Sequence, residues 1–469
     1  MIFSTMQDAK LHHKGVFKMK NLSNIKSAHF IGIGGSGMFP LAQIMQSFGV
    51  KVTGSDTYES DTLEKVRNLG IKVSIGQDAK NIENPDAVVY SAAIKETNPE
   101  IIAAKEKGIS LIKRSELMGM IFEKYENSIG VSGTHGKTTT TSMITTILID
   151  AKKDPTAIIG GTLLKINSNC NIGKSDIIVG EACEYVDSFL CLNPKISVIT
   201  NVDEDHLDYF KNFENIKKSF KKYAEQTKAL VVANGDDEPA KECANSCKGE
   251  KVFFGLLPEN DFYAAEISFS KRQCASFSVF NGKEKLADIT LNVPGKHNVY
   301  NALAAFCVCF KLGVDAKTIS DSLEKFGGAH RRFEILKEKN GITVADDFAH
   351  HPTEIETTLQ AASKMGFKTV WAIFQPHTFS RTFMLLDDFA KALSIADKVI
   401  VSDILPVREV NTYGVKPTDL TEKISGSMHI PTFEQISQFV LENAKPGDLI
   451  LTLGGGNVYK CANMIAENL

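Results

Sequence analysis

Short apolar runs alternate with helix-length segments from about Ala28 onward, and that alternation is the strongest constraint on the fold. HFIGIG, VKVTGSD, IKVSIG, DAVVYSAAI and ISLIKR read as buried strands separated by helical spacers, the pattern of a parallel sheet with helical crossovers. A second set opens at SIGVSGTHGKTTTTSMITTIL and continues through DIIVGEA, KISVITNV and ALVVANGDD. A third contains GITVADD, TVWAIF, KVIVSDI and DLILTLGGG. Residues 251–293 alternate more and carry Asn281-Gly282, so an antiparallel patch with a hairpin is expected there, followed by a helix over 298–312. At roughly 150 residues per domain, 469 residues predict three units. The patterning divides them as 1–123, 124–332 and 333–469, with Gly327-Gly328 beside the second boundary.

Charge narrows the partners. Lys plus Arg number 53 and Asp plus Glu 56, a net charge of −3, which argues against a nucleic-acid or membrane partner. An anionic ligand must then be held by local devices such as helix N-termini, glycine nests or metals. No apolar run approaches 18 residues, and the N-terminus shows no apolar core of a secretory signal, so a soluble cytoplasmic chain is expected. The nine cysteines form no C-x-x-C pair. Cys243 and Cys247 are spaced for one helix face without a nearby histidine, which favours buried thiols over a zinc site.

Gly32-Ile33-Gly34-Gly35-Ser36-Gly37 fits G-x-G-x-x-G between a strand-like segment and a helical one, and Asp56 ends the next strand about twenty residues on. Glycines there admit a close backbone approach, and N–H groups at the helix start attract a pyrophosphate. Asp56 can accept from a ribose or a base edge. NAD, another diphosphate ligand and simple tight packing all remain open for this turn.

The second turn, Gly133-Thr134-His135-Gly136-Lys137-Thr138-Thr139, also lies between a strand and a helix. Val131 breaks the strict G-x-x-x-x-G-K-[ST] pattern, but the working parts remain. Backbone N–H groups form a cradle, Lys137 can reach the β- and γ-phosphates, and the Thr138 hydroxyl is placed for Mg²⁺. Glu181 and His206 stand at strand ends of the same unit and can face Lys137. A carboxylate suits Mg²⁺ better than a histidine does, and the plain alternatives are a capping carboxylate and a surface histidine.

GTHGKTTT, NVDEDHLDYF, GKHNVYNALAA, GGAHRRFE and DDFAHHPTEI follow one another in the order shown by the Mur ligase family, which the chain resembles from about Ala28 to Gly456. That family joins amino acids to the nucleotide-linked precursor of the bacterial cell wall. The resemblance implies an α/β protein of three domains. These are a Rossmann-like N-terminal domain, a central P-loop-type ATPase domain with a mostly parallel sheet plus a small antiparallel patch, and a Rossmann-like C-terminal domain. HFIGIGGSGM, HHPTE and FQPHTFSRT resemble the forms found in the member that attaches L-alanine. The implied reaction is ATP-dependent ligation of L-alanine to the carboxylate of UDP-N-acetylmuramate through an acyl phosphate. The implied cofactor is Mg²⁺, as two ions, with Mn²⁺ as a substitute.

By position, the resemblance implies that Gly34, Gly35, Ser36, Gly37, Asp56 and Ser91 contact the UDP-sugar. ATP falls to Gly133, Thr134, His135, Gly136, Lys137, Thr138 and Thr139, with His297, Asn298, Asn301, Arg332 and Asp347. Thr138, Glu181 and His206 become the metal ligands, and His350, His351 and Arg381 handle the amino acid. Lys137, His206, Arg332, His351 and Arg381 form the implied catalytic set, His351 being the base for the amine. Plain readings stand beside these: His350-His351 as a turn cap, Arg331-Arg332 as a solvated pair, and His297 as a core histidine. Cys183, Val186, Gln77 and Thr378 depart from the family's usual residues. Rival readings are a sister ligase using another amino acid or a recycled peptide, a nucleotide-gated binding protein, and an NAD-dependent dehydrogenase. The last leaves the Lys137 turn unexplained.

Overall fold

The structure, a computed structural model, describes residues 22–407 and 409–469. The first sheet contains β1 (Ser27–Ile31), β2 (Lys51–Asp56), β3 (Lys72–Ile75), β4 (Ala87–Tyr90) and β5 (Ser110–Lys113), all parallel, in the order β3-β2-β1-β4-β5. The order reverses between β1 and β4, which opens a crevice outside their C-terminal ends. The glycine turn leaves β1 at this point and Ser91 follows β4.

The second sheet has ten strands: β6 (Asn127–Ser132), β7 (Thr156–Leu163), β8 (Ser168–Asn171), β9 (Ile177–Glu181), β10 (Ile196–Ile199), β11 (Leu230–Asn234), β12 (Glu250–Gly255), β13 (Phe262–Phe269), β14 (Cys274–Asn281) and β15 (Glu284–Pro294). Their order is β15-β14-β13-β12-β11-β10-β6-β9-β7-β8. The antiparallel patch is present but smaller than the composition suggested. It comprises β13, β14 and β15, whereas β12 runs parallel to β11. Val252 and Phe254 of β12 enter one hydrophobic core while Phe253 packs against another, and a strand covered on both faces suits parallel pairing. The β14–β15 turn is Gly282-Lys283, one residue later than Asn281-Gly282, with Asn281 paired to Glu284 and Gly282 at φ +57°.

The third sheet contains β16 (Glu334–Lys339), β17 (Ile342–Asp347), β18 (Thr369–Phe374), β19 (Lys398–Val401), β20 (Met428–His429) and β21 (Asp448–Leu453), ordered β16-β17-β21-β18-β19-β20. Only β16 is antiparallel to its neighbour among them.

The helix expected over 298–312 spans His297–Lys311 and is apolar on nearly every side, as a helix packed on all faces must be. Met143, Ile144 and Ile147 of the helix Lys137–Asp150 share its core with Phe306 and Val308. That packing brings Asn301 against the glycine turn after β6. Cys243 and Cys247 are both buried. Among the described residues no helix is long and apolar enough to cross a membrane.

Candidate active site

In the second sheet β6 lies between β9 and β10, all three parallel, so their C-terminal ends converge. The Gly133–Gly136 turn leaves β6, Glu181 ends β9, and residues 200–206 follow β10. A Cβ at Gly133 would sit 2.0 Å from Thr200 Oγ1, and one at Gly136 would sit 2.5 Å from Asn301 Oδ1. Both glycines have positive φ, so the turn requires glycine twice over. The β10 side fastens the turn. The Thr200 hydroxyl and Asn201 Nδ2 donate to the His135 carbonyl at 2.6 and 3.0 Å, and His135 N–H donates to Asn201 Oδ1 at 2.8 Å.

Lys137 opens the following helix. Its ammonium donates to the carbonyls of Gly133 (2.5 Å) and Thr134 (2.9 Å) and to Glu184 Oε1 (3.0 Å). Burial works most strongly against that charge, but Glu184, Cys183 and Glu181 together outweigh it and hold the ammonium above the ordinary lysine range. Glu181 accepts from Gly160 N–H at 2.5 Å. Burial raises its carboxyl above the usual range, opposed by Gly160, Thr138, Lys137 and Arg332 beside it. Thr138 and Glu181 thus offer a hydroxyl and a carboxylate in one buried corner, a donor set suited to Mg²⁺. His206 does not join them. Its ring packs on Tyr185 with centroids 4.6 Å apart, and Nε2 lies 3.7 Å from Asp205.

A cavity of about 360 Å³ adjoins the turn, within the range of small-molecule sites. His135, Gly136 and Thr139 form one wall, and His297, Asn298 and Asn301 a second. Arg332 and Asp347 line it too, and the helix Pro352–Ser363 contributes Thr353, Glu354, Thr357, Thr358 and Ala361. Burial, helped by nearby Arg332, pulls the His297 pKa down to about 4, so the ring is neutral. Asn298 Nδ2 donates to Pro294 O at 2.7 Å, and Asn301 Nδ2 to Asn298 Oδ1 at 3.0 Å. Asp347 accepts from the N–H groups of Phe333 and Ala349, both at 2.7 Å, and burial lifts its pKa to about 6.

The histidine pair does not behave as expected. His351 caps the helix Pro352–Ser363. Its Nε2 lies 3.0 Å from the Glu204 carbonyl, which can only accept, so Nε2 carries the proton. Nδ1 accepts from Thr353 N–H at 3.4 Å. Both ring nitrogens are therefore engaged, and His351 lacks the free lone pair that a base for the amine needs. His350 is the other ring of the pair. Its Nδ1–H donates to Phe348 O at 2.9 Å, burial keeps it neutral with a pKa near 3, and Nε2 keeps the lone pair.

Arg381 donates to Asp205 Oδ1 at 3.0 Å and faces a second cavity, of about 380 Å³, with His206, His377 and Tyr185. Arg331 is not a solvated residue: its guanidinium binds Asp346 and the carbonyls of Gly454 and Gly456. Among the described residues, one His/Cys/Asp/Glu cluster has ligand atoms close enough for a metal, His135, Asp203 and His351, and neither Glu181 nor His206 is part of it.

At the first sheet's crevice, Asp56 Oδ2 accepts from Gly34 N–H at 2.9 Å, so this carboxylate braces the glycine turn. A Cβ at Gly34 would lie 2.9 Å from Leu63, one at Gly35 3.3 Å from the Gly32 carbonyl, and one at Gly37 3.2 Å from Arg114. The Ser36 carbonyl accepts from Asn169 of the second unit at 2.9 Å, and the Ser91 hydroxyl accepts from Ala93 N–H at 3.3 Å. Gln77 accepts from Asn98 at 2.6 Å.

Three family models match in sequence: Mur ligase family, catalytic domain, over residues 27–126; Mur ligase middle domain over 131–309; and Mur ligase, glutamate ligase domain, over 331–456. The UDP-N-acetylmuramate–L-alanine ligase of Agathobacter rectalis is 46% identical over 92% of this chain and 96% of its own length. The chain belongs to the Mur ligase family. The like-named protein of Alkaliphilus metalliredigens is 44% identical over 94% of the chain and 97% of its own length. Among solved structures, the UDP-N-acetylmuramate-alanine ligase of Thermotoga maritima superposes with a TM-score of 0.80 at 29% identity, covering 94% of this chain and 98% of that one. A murein peptide ligase of Psychrobacter arcticus gives 0.73 at 25% identity, with the same coverage.

The motifs of this Mur ligase located the Lys137 turn, the Asn298–Asn301 face, Arg332 and Asp347, and the fold gathers them at one cavity. They did not single out Glu184, Asp203, Asp205 or Glu354, the carboxylates that pair with the site's cations. Asp203, Asp205 and Glu354 sit inside motifs already noted, and Glu184 follows Cys183. Their role depends on which loops face each other, and a linear spacing does not carry that.

Proposed function

We propose that this Mur ligase joins L-alanine to the carboxylate of UDP-N-acetylmuramate with ATP, in peptidoglycan precursor synthesis. The names of its close relatives support this reading. The observation that carries it is the meeting of Lys137, Glu181 and Arg332 beside one nucleotide-sized cavity. Attack of a carboxylate on a γ-phosphate brings two anions together, and the site must neutralise them. Lys137, drawn from Glu184 to the phosphates, and Arg332 supply fixed positive charge. Mg²⁺ supplies Lewis-acid stabilisation when bound, and Thr138 and Glu181 are the residues that would hold it. Two ions, with His206 serving the second, and Mn²⁺ as a substitute, complete this reading.

Residues 1–123 are assigned the UDP-sugar, 124–332 the ATP, and 333–469 the amino acid and closure. The Gly32–Gly37 turn, with Asp56 bracing it and Ser91 opposite, receives the diphosphate. Arg381 receives the alanine carboxylate, exchanging it for Asp205. His350 and His351 are assigned to the incoming amino acid.

Phosphate release should require ATP, Mg²⁺, UDP-N-acetylmuramate and L-alanine together. Release without the amino acid, or none with all four, removes the ligase reading. Far better use of glycine, serine or a tripeptide removes the alanine assignment. Lys137→Ala should abolish turnover and leave UDP-sugar affinity within about twofold; equal loss of both would overturn the two-cradle division.

A further inference from the structure

The helix Pro352–Ser363 belongs to the third sheet's unit, yet its first turn is bound to loops of the second. Glu354 Oε1 lies 3.2 Å from His135 Nδ1. Asp203 Oδ2 lies 3.3 Å from His135 Nε2 and accepts from the Thr353 hydroxyl at 3.1 Å. His351 donates to Glu204 O, and the His135 and His351 rings pack with centroids 5.1 Å apart. The His135 ring therefore stands between a carboxylate of its own unit and one of the other. The His135 backbone is fixed separately by Thr200 and Asn201, so the turn does not depend on the ring for its shape. The helix does not depend on the pair either, since His351 caps it.

We propose that Glu354 is a positioning residue that acts through His135. The pair latches the third unit onto the phosphate turn and thereby sets one wall of the nucleotide cavity. Glu354, Thr353, Thr357, Thr358 and Ala361 form that wall, so a helix that withdraws leaves the cavity open on one side. A ligand that touches both sides binds the closed arrangement, and its apparent dissociation constant rises in inverse proportion to the closed fraction. Weakening the latch should therefore raise the KM for ATP while saturating ATP restores closure and leaves kcat nearly intact. A residue needed only for folding would lower the melting temperature without that division.

The test uses Glu354→Gln, His135→Gln and the double variant in the full chain. Small-angle X-ray scattering is recorded with and without ATP, and steady-state kinetics follow ligation. Glu354→Gln should raise the KM for ATP about tenfold with kcat within about twofold, and His135→Gln should raise that KM at least as much. The double variant should be no worse than the worse single one, and the radius of gyration without ATP should increase and return with saturating ATP. Additive effects in the double variant, or unchanged scattering in Glu354→Gln, would overturn the latch. If Glu354→Gln does not fold by circular dichroism, Thr353→Val, which removes the Asp203 contact, is read by the same criteria. The kinetic arm rests on the ligase reading. The scattering arm does not, so a chain without ligase activity still decides the latch.

Discussion

Arg331 offers the most quantitative test of how the third unit is held together. Its Nε donates to Asp346 at 2.7 Å, Nη1 to Gly456 O at 2.8 Å and Nη2 to Gly454 O at 2.7 Å. The guanidinium lies between the rings of Phe348 and Tyr459, 4.9 Å from each centroid. The Arg331 side chain is 12% exposed and that of Asp346 1%, so solvent screens this pair little. Arg331→Ala strands a buried carboxylate and leaves two carbonyls without a donor. Breaking a buried pair from one side costs about 4 kcal/mol. For a unit of this size that is a fall of roughly 12 °C in melting temperature, at about 3 °C per kcal/mol. Most of the loss is the unpaired charge, so Arg331→Ala combined with Asp346→Asn should recover about 1–2 kcal/mol. Arg331→Lys keeps the charge without the planar fork and should fall between. The chain has one tryptophan, and Trp371 is buried in β18, so its fluorescence in urea reports the third unit selectively. A loss below about 1 kcal/mol in Arg331→Ala, or a double variant no more stable than the single, would refute this account.

Three further outcomes follow from the same kind of accounting. Phe306 is fully buried, with rings of Phe262 and Phe310 at 6.4 and 5.8 Å, and Phe306→Ala should cost about 4 kcal/mol in the second unit's circular-dichroism transition while the Trp371 transition holds. A Cβ at Gly119 would lie 2.1 Å from the Cys191 carbonyl oxygen, a backbone atom, so Gly119→Ala should destabilise by about 1–3 kcal/mol in thermal melts. Burial opposes the charge on His135 most strongly, but the hydrogen bonds and negative charge of Asp203 and Glu354 together outweigh it and lift the pKa to about 9. A raised histidine contributes fully below its free value of about 6.5, and the contribution is lost as pH rises through 9. The radius of gyration should accordingly be constant near pH 6 and increase from pH 7 to 9, and a profile flat to pH 10 would contradict this.

The alternation of apolar runs made the three sheets legible because a central parallel strand is covered on both faces, and β1, β6, β18 and β21 are buried at nearly every position around an apolar centre. β7 and β8 escaped because Gly160-Gly161 interrupts one and the other is the polar SNCN. At the site, the strand–turn–helix around Lys137 and Thr138 was legible because glycines at fixed spacing mark a tight turn between a strand and a helix. The ring partners of His351 were not legible, because the Glu204 carbonyl lies 147 positions away and approaches only in the fold. Arg331 and Arg332 are adjacent in sequence and opposite in use. Arg331, at φ +61°, turns into the third sheet's unit, and Arg332 lines the cavity beside the Lys137 turn.

A net charge of −3 becomes intelligible when the site's cations are followed to their partners. Lys137 is held by Glu184, His135 by Asp203 and Glu354, and Arg381 by Asp205. Each cation is already paired and largely desolvated before any phosphate or carboxylate reaches it. An arriving anion therefore exchanges with a carboxylate, so the cost of stripping water from the cation falls on folding and not on binding. The exchanged carboxylate must then find a new partner or stay charged in a buried place. Glu184 shows where this bears hardest, since its Oε2 is buried without a hydrogen-bond donor even while Oε1 holds Lys137. Once phosphates draw Lys137 away, Glu184 needs a cation, and the Mg²⁺ that accompanies a nucleotide brings one to the same corner. Nucleotide and metal should therefore bind with positive coupling that Glu184→Gln weakens. Titrating a non-hydrolysable ATP analogue with and without Mg²⁺ measures that coupling, and equal metal dependence in both proteins would remove the exchange argument.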